Sequence, residues 1–295
     1  MKTLPDLKNE PFGGAWSIYD NQLLNFIKSR FVNPFYDPNI NDFLKKYKTW
    51  AFKDHNIEGI NKFTNLCYAN GTTEVFDKFY QKYAHKRLRL LKGEYYYHRI
   101  QAREIFESFA WVEDEPILPN DVVVLSAPFS DTGNIPENYD EIMNRCSQYE
   151  IPVMLDMAYL NLTKNLSLNI TYPCIEVIAT SLSKVFPVER FRIGMRLMRT
   201  SSDDTLYAYS HNSVPYVNTI SINIADYLIT TFQNDWVFNK YKNKQLEACK
   251  KLGLTPSSCV IFGIDTDQKY PQYNRGSSTN RLCFSRLWDE RFCRN

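Results

Sequence analysis

The chain has 295 residues and a net charge of +2, with 35 basic and 33 acidic residues mixed along it, so no segregated basic surface for nucleic acid is expected. Hydrophobic residues make up 44%, enough for a globular core, yet no apolar run reaches the roughly 18 residues that a bilayer span needs. The N-terminal stretch MKTLPDLKNEPFGG lacks the apolar centre of a secretion signal, and seven cysteines lie scattered without a CxxC pair. A cytoplasmic protein with reduced thiols, no metal site and no membrane partner is the expectation.

Residues 1–20, rich in Pro, Gly and Asn, read as an irregular arm, with Phe12-Gly-Gly-Ala-Trp16 as a close-approach loop. Leu23, Leu24, Ile27 and Phe31 mark one face of a helix from about Asp20 to Arg30. After the Asn33-Pro-Phe-Tyr-Asp-Pro38 break, a second amphipathic helix is predicted near Asn41 to Phe52. Phe63 to Ala69 reads as a buried strand that runs through Asn70-Gly-Thr-Thr-Glu74 into a helix over 75–83. A strand, a glycine turn and a helix N-terminus make an anion site, and the same pattern also serves as a plain capped turn.

Arg87 to Leu91 is predicted as a strand, followed by Gly93-Glu-Tyr-Tyr-Tyr-His98 and a helix over Ile100 to Ala110. Asp121-Val-Val-Val-Leu-Ser-Ala127 has the continuous apolar, β-branched character of a strand buried on both faces, and it ends in Pro-Phe-Ser-Asp-Thr-Gly133. A helix near 137–148 leads to a strand ending at Asp156, and further strands are predicted over Cys174 to Thr180 and Gly194 to Arg199. Beyond residue 200 come two helices, 218–232 and 236–252, and a strand pair near 258–264 and 280–285.

The recurring strand–helix–strand unit predicts an α/β fold: a three-layer α/β/α large domain with a mostly parallel sheet, plus a small α+β C-terminal domain. The boundaries are drawn at 1–40 for an arm and dimer-facing helix, 41–200 for the large domain and 201–295 for the small one. Ligands in such sheets sit at the carboxyl ends of strands. Gly71, Tyr95, Ser130, Asp156 and Lys184 all follow strands, so they are expected to converge on one crevice.

With Ser181-Leu-Ser-Lys184, Arg192-Ile-Gly194, Asp156-Met-Ala-Tyr159, Gly71-Thr-Thr-Glu74 and Arg281 in hand, the chain resembles the aspartate aminotransferase superfamily, the fold-type I enzymes that use pyridoxal 5′-phosphate (PLP). The likeness spans roughly Tyr36 to Phe284. It implies that Lys184 forms the Schiff base with the cofactor, its amine kept neutral by burial and by the Arg192 cation. It implies Asp156 as partner of the pyridine nitrogen, Tyr159 as donor to the ring oxygen, and Ser181, Ser183, Arg192, Gly71, Thr72 and Thr73 as the phosphate cradle.

Tyr95 matches the ring-stacking position, with Tyr96 and Tyr97 as competitors. Ser130 takes the place of the family's usual asparagine at the ring oxygen, with the neighbouring Asp131 as the alternative. Arg281 matches the arginine that grips the substrate α-carboxylate, and Trp16, Tyr36 and His98 are candidates for the side-chain pocket. Tyr36, with Asn212 and Ser213, would reach the cofactor of a second subunit, making a homodimer with shared active sites.

The resemblance therefore implies a PLP-dependent aminotransferase working by a ping-pong route on an α-amino acid and a 2-oxo acid. A PLP-dependent lyase, decarboxylase or synthase would use every one of these residues. A non-catalytic descendant of the fold is the third alternative.

Overall fold

The computed structural model describes residues 12–30, 38–212 and 215–289. Tyr36 and Ser213 lie outside the described residues. In chain order the first elements are α1 (Asn21–Lys28), α2 (Ile40–Phe52), β1 (Asn56–Glu58), β2 (Asn65–Asn70), α3 (Thr72–Tyr83), β3 (Arg87–Leu90) and α4 (Tyr96–Glu104). They are followed by β4 (Ser108–Trp111), β5 (Asp121–Ser126), α5 (Tyr139–Gln148), β6 (Val153–Asp156), β7 (Ser167–Asn169), β8 (Ile175–Ser181) and β9 (Ile193–Met198). The last part holds α6 (Thr205–His211), α7 (Thr219–Thr231), α8 (Trp236–Leu252), β10 (Thr255–Pro256), β11 (Phe262–Asp265) and β12 (Asn280–Cys283).

The central sheet has seven strands in the order β2-β9-β8-β6-β5-β3-β4. All neighbours pair in parallel except β9, which runs antiparallel to both β2 and β8. The fold is α/β with a mostly parallel sheet, and every residue of β5, β6 and β9 is buried, which is why Val122–Leu125 and Val153–Leu155 read as apolar runs, while β9 buries Arg196 among its apolar residues. A three-stranded antiparallel sheet, β10-β11-β12, stands apart near the C-terminus, and β1 and β7 form a short parallel pair.

Helix starts follow local chemistry. Asp20, Asn39, Asp204 and Asn218 each accept backbone N–H bonds at the N-caps of α1, α2, α6 and α7. The helix predicted over 100–110 is corrected: α4 begins at Tyr96 and stops at Glu104, and Ser108–Trp111 is an edge strand paired with β3. The strand predicted near 258–264 is confined to Phe262–Asp265. No helix among the described residues is long and apolar enough to cross a membrane, and the six described cysteines are free and buried.

Candidate active site

Because β9 alone is reversed, its amino end lies at the same sheet edge as the carboxyl ends of β2, β6 and β8. A cavity of about 150 Å³ opens there. Its lining includes Thr72 and Thr73 after β2, Tyr95 before α4, Asp156 and Tyr159 after β6, Ser181, Ser183 and Lys184 after β8, and Arg192 before β9. Trp16 and Glu189 complete it.

The cradle end is built from a close backbone approach. Gly71 has φ +77°, and a Cβ there would lie 2.5 Å from an Arg192 guanidinium nitrogen, while a Cβ on Gly194 would lie 2.7 Å from the Gly71 carbonyl carbon. Arg192, itself at φ +57°, donates to Thr73 Oγ1 at 3.0 Å and to the Glu189 carbonyl at 3.3 Å. Ser181 Oγ donates to the Ile193 carbonyl at 3.0 Å and accepts from the Ser183 amide at 3.0 Å, which fixes the turn leading into Lys184. Ser183 Oγ is buried without a partner, and no side chain caps α3 at Gly71. An orphaned hydroxyl, an uncapped helix start and an arginine converging on one cavity fit a phosphate group.

Lys184 is half-buried and donates from Nζ to the Ala15 carbonyl at 2.7 Å, with the Tyr159 ring centroid 5.9 Å away. Burial holds its amine below the ordinary lysine value, opposed by the negative Asp156 and Glu189 and helped by the Arg281 cation. Burial likewise pushes the Tyr159 phenol up, so it stays protonated and able to donate.

Asp156 Oδ1 accepts from the Ala158 amide at 2.9 Å, and its Oδ2 lies 3.6 Å from His98 Nε2, whose other ring nitrogen bonds to Tyr80 Oη. His98 is fully buried behind the aspartate, so it is a backing group and not a wall of a side-chain pocket. Tyr95 resolves the choice among three tyrosines: it lines the cavity and meets His98 edge-on at 5.5 Å. Tyr96 is exposed and Tyr97 donates to Asp77 at 2.6 Å.

Ser130 and Arg281 are not among the lining residues. Ser130 is fully buried, its Oγ accepting from Arg275 at 3.3 Å and its carbonyl accepting from Arg281 at 2.6 Å. Asp131 is buried too, taking hydrogen bonds from Ser277 at 2.5 Å and Thr279 at 3.1 Å. The second arm of Arg281 donates to the Gly13 carbonyl at 2.5 Å, and its Nε is buried without a partner. Two carbonyls of the strap formed by residues 12–19 thus hold the Arg281 guanidinium (Gly13) and the Lys184 amine (Ala15), which the resemblance assigns to substrate carboxylate and cofactor. Sequence reasoning also left out Glu189 and Arg275; a glutamate directly after the apolar Val185-Phe-Pro-Val188 run was the available signal for the first.

The sheet order and the crevice at its strand ends match the fold of solved aminotransferase structures. Residues 112–233 match the family described as aminotransferase class I and II. Among solved structures, a double mutant of aspartate aminotransferase from Thermus thermophilus is similar with TM-score 0.65 at 14% identity, covering 96% of this chain and 90% of that one. Histidinol-phosphate aminotransferase from Clostridium acetobutylicum follows with 0.60 at 13%, covering 92% and 93%. A PLP-bound C-S lyase from Staphylococcus hominis gives 0.65 at 10%, covering 93% and 86%. No curated protein matches the chain by sequence.

Proposed function

We propose that the protein is a PLP-dependent aminotransferase that moves an amino group between an α-amino acid and a 2-oxo acid. The observation that carries this reading is the placing of Lys184, Asp156 and the Arg192–Ser183 cradle around one cavity. When bound, the cofactor supplies an aldehyde for amine exchange and a ring that draws electrons from the substrate Cα.

Thr72, Thr73, Ser183 and Arg192 hold the phosphate, and Asp156 keeps the pyridine nitrogen protonated, with His98 behind it. Tyr95 covers one face of the ring, and Tyr159 donates to the ring oxygen. Lys184, with its amine held neutral, would be the residue that holds the cofactor at its aldehyde carbon, and when free its Nζ would carry the proton taken from the substrate Cα. Arg281 accepts the substrate α-carboxylate after releasing the Gly13 carbonyl. A homodimer with shared sites is part of this proposal. A lyase is the second reading, favoured by the C-S lyase of the same fold.

Protein loaded with the cofactor absorbs visible light, and an amino acid removes that band with release of its oxo acid. Lys184→Ala abolishes the band. Because burial lowers the lysine, attachment rises with pH through a midpoint below the ordinary value of about 10.4. Oxo acid with ammonia or thiol release and no transfer to an acceptor decides for the lyase; no band in the native protein overturns both.

A further inference from the structure

Glu189 is the one lining carboxylate to which the reading above gives no task. It stands in the loop between Lys184 and Arg192, and its two oxygens accept from Ser17 Oγ at 3.1 Å and Tyr19 Oη at 2.6 Å. Both donors are neutral hydroxyls, and no cation stands within ion-pair distance of its carboxylate among the described residues. A carboxylate with two neutral donors has acceptor positions to spare.

Its position relative to the reacting atom follows from the strap. Lys184 Nζ is tied to the Ala15 carbonyl, and the next residues along are Trp16, which lines the cavity, and Ser17, which holds Glu189. A substrate with its Cα beside Lys184 and its side chain running along the strap meets an indole and then a carboxylate. Trp16 has the Arg286 guanidinium over its ring at 5.2 Å, so the indole already attracts a cation of the chain, whose place or opposite ring face a substrate cation would take. An aromatic face next to an unneutralised carboxylate is the pairing that recognises an ammonium or guanidinium group. The same carboxylate repels a dicarboxylate substrate, whose second anion would have to sit beside it.

Resting on the aminotransferase reading, we propose that Glu189 and Trp16 form a side-chain subsite selecting α-amino acids whose distal group is a cation, that is, basic amino acids.

Three amino-acid classes, lysine and arginine, leucine and phenylalanine, aspartate and glutamate, are titrated against the holoenzyme while the cofactor band is followed. Binding of 1,5-diaminopentane to cofactor-free protein is measured separately by calorimetry. Basic amino acids are expected to perturb the band at concentrations about tenfold or more below the neutral ones, with the acidic ones weakest. Glu189→Gln, which keeps one acceptor oxygen and turns an NH2 donor to the other hydroxyl, is expected to remove that preference and weaken diamine binding by about tenfold, and Glu189→Lys to reverse the order of basic and acidic substrates. Acidic or neutral amino acids binding as tightly as basic ones, or a preference unchanged in Glu189→Gln, overturns the subsite while leaving the aminotransferase reading intact. A band that no amino acid of any class perturbs overturns that reading, and the subsite with it.

Discussion

At the cradle end of the cavity, Ser183 Oγ has no partner and no side chain caps α3, whereas behind the cavity lining, at the carboxylate end where the proposed function seats the substrate carboxylate, both arms of Arg281 are engaged by carbonyls of the chain itself. The first end is a preformed receptor whose donors wait for an anion. The second holds a guanidinium on the Gly13 and Ser130 carbonyls, and under the proposed function a substrate carboxylate would take the place of the Gly13 carbonyl. Groups that stay bound through every turnover are best met by donors fixed in advance, since no ordering cost recurs. Groups that come and go are met by donors that can fall back on another acceptor, which spares an unpaired buried charge between turnovers.

Substitutions on the two ends should separate accordingly. Arg192→Gln removes the charge of the cradle and the bond to Thr73, and cofactor affinity should fall about a hundredfold or more, read by equilibrium titration of the visible band. An unchanged affinity would mean that the cradle lies elsewhere. Arg281→Lys keeps a charge and loses the planar fork, so KM for the amino acid should rise about tenfold with cofactor affinity unchanged. A matched loss of both would make the two ends one unit and end the contrast.

Ser183→Ala is the smallest effect. Cofactor affinity should drop by about 1 kcal/mol, while the melting temperature of the cofactor-free protein should stay level, because the hydroxyl has no partner to lose. A large fall in stability would show that the hydroxyl is bonded before the cofactor arrives.

The sequence carried the α/β pattern because buried parallel strands such as Asp121–Ser126 leave continuous apolar runs, and these end at the crevice. Ser108–Trp111 was hidden because four residues with no alternation cannot be told from a helix tail; its pairing with β3 is a tertiary fact. The cradle was legible since glycine, serine and arginine are needed there as residue types. The carboxylate end was not, because the partners of Lys184 and Arg281 are backbone carbonyls in a distant arm, and a carbonyl has no residue signature. His98 shows a related limit: its residue type suggested a pocket wall, and only packing reveals that it stands behind Asp156.

The reversed strand β9 has one more consequence. Its antiparallel pairing with β8 places Ser181 opposite Gly194, so the segment carrying both Lys184 and Arg192 is a tether clipped at its two ends. A helical crossover could absorb an extra residue; a clipped tether cannot, and one insertion would shift the arginine against the lysine by up to about 3.8 Å. The distance between aldehyde and phosphate is set by the ligand and does not stretch to follow. The residues between Lys184 and Arg192, Glu189 among them, can therefore differ in side chain but not in number.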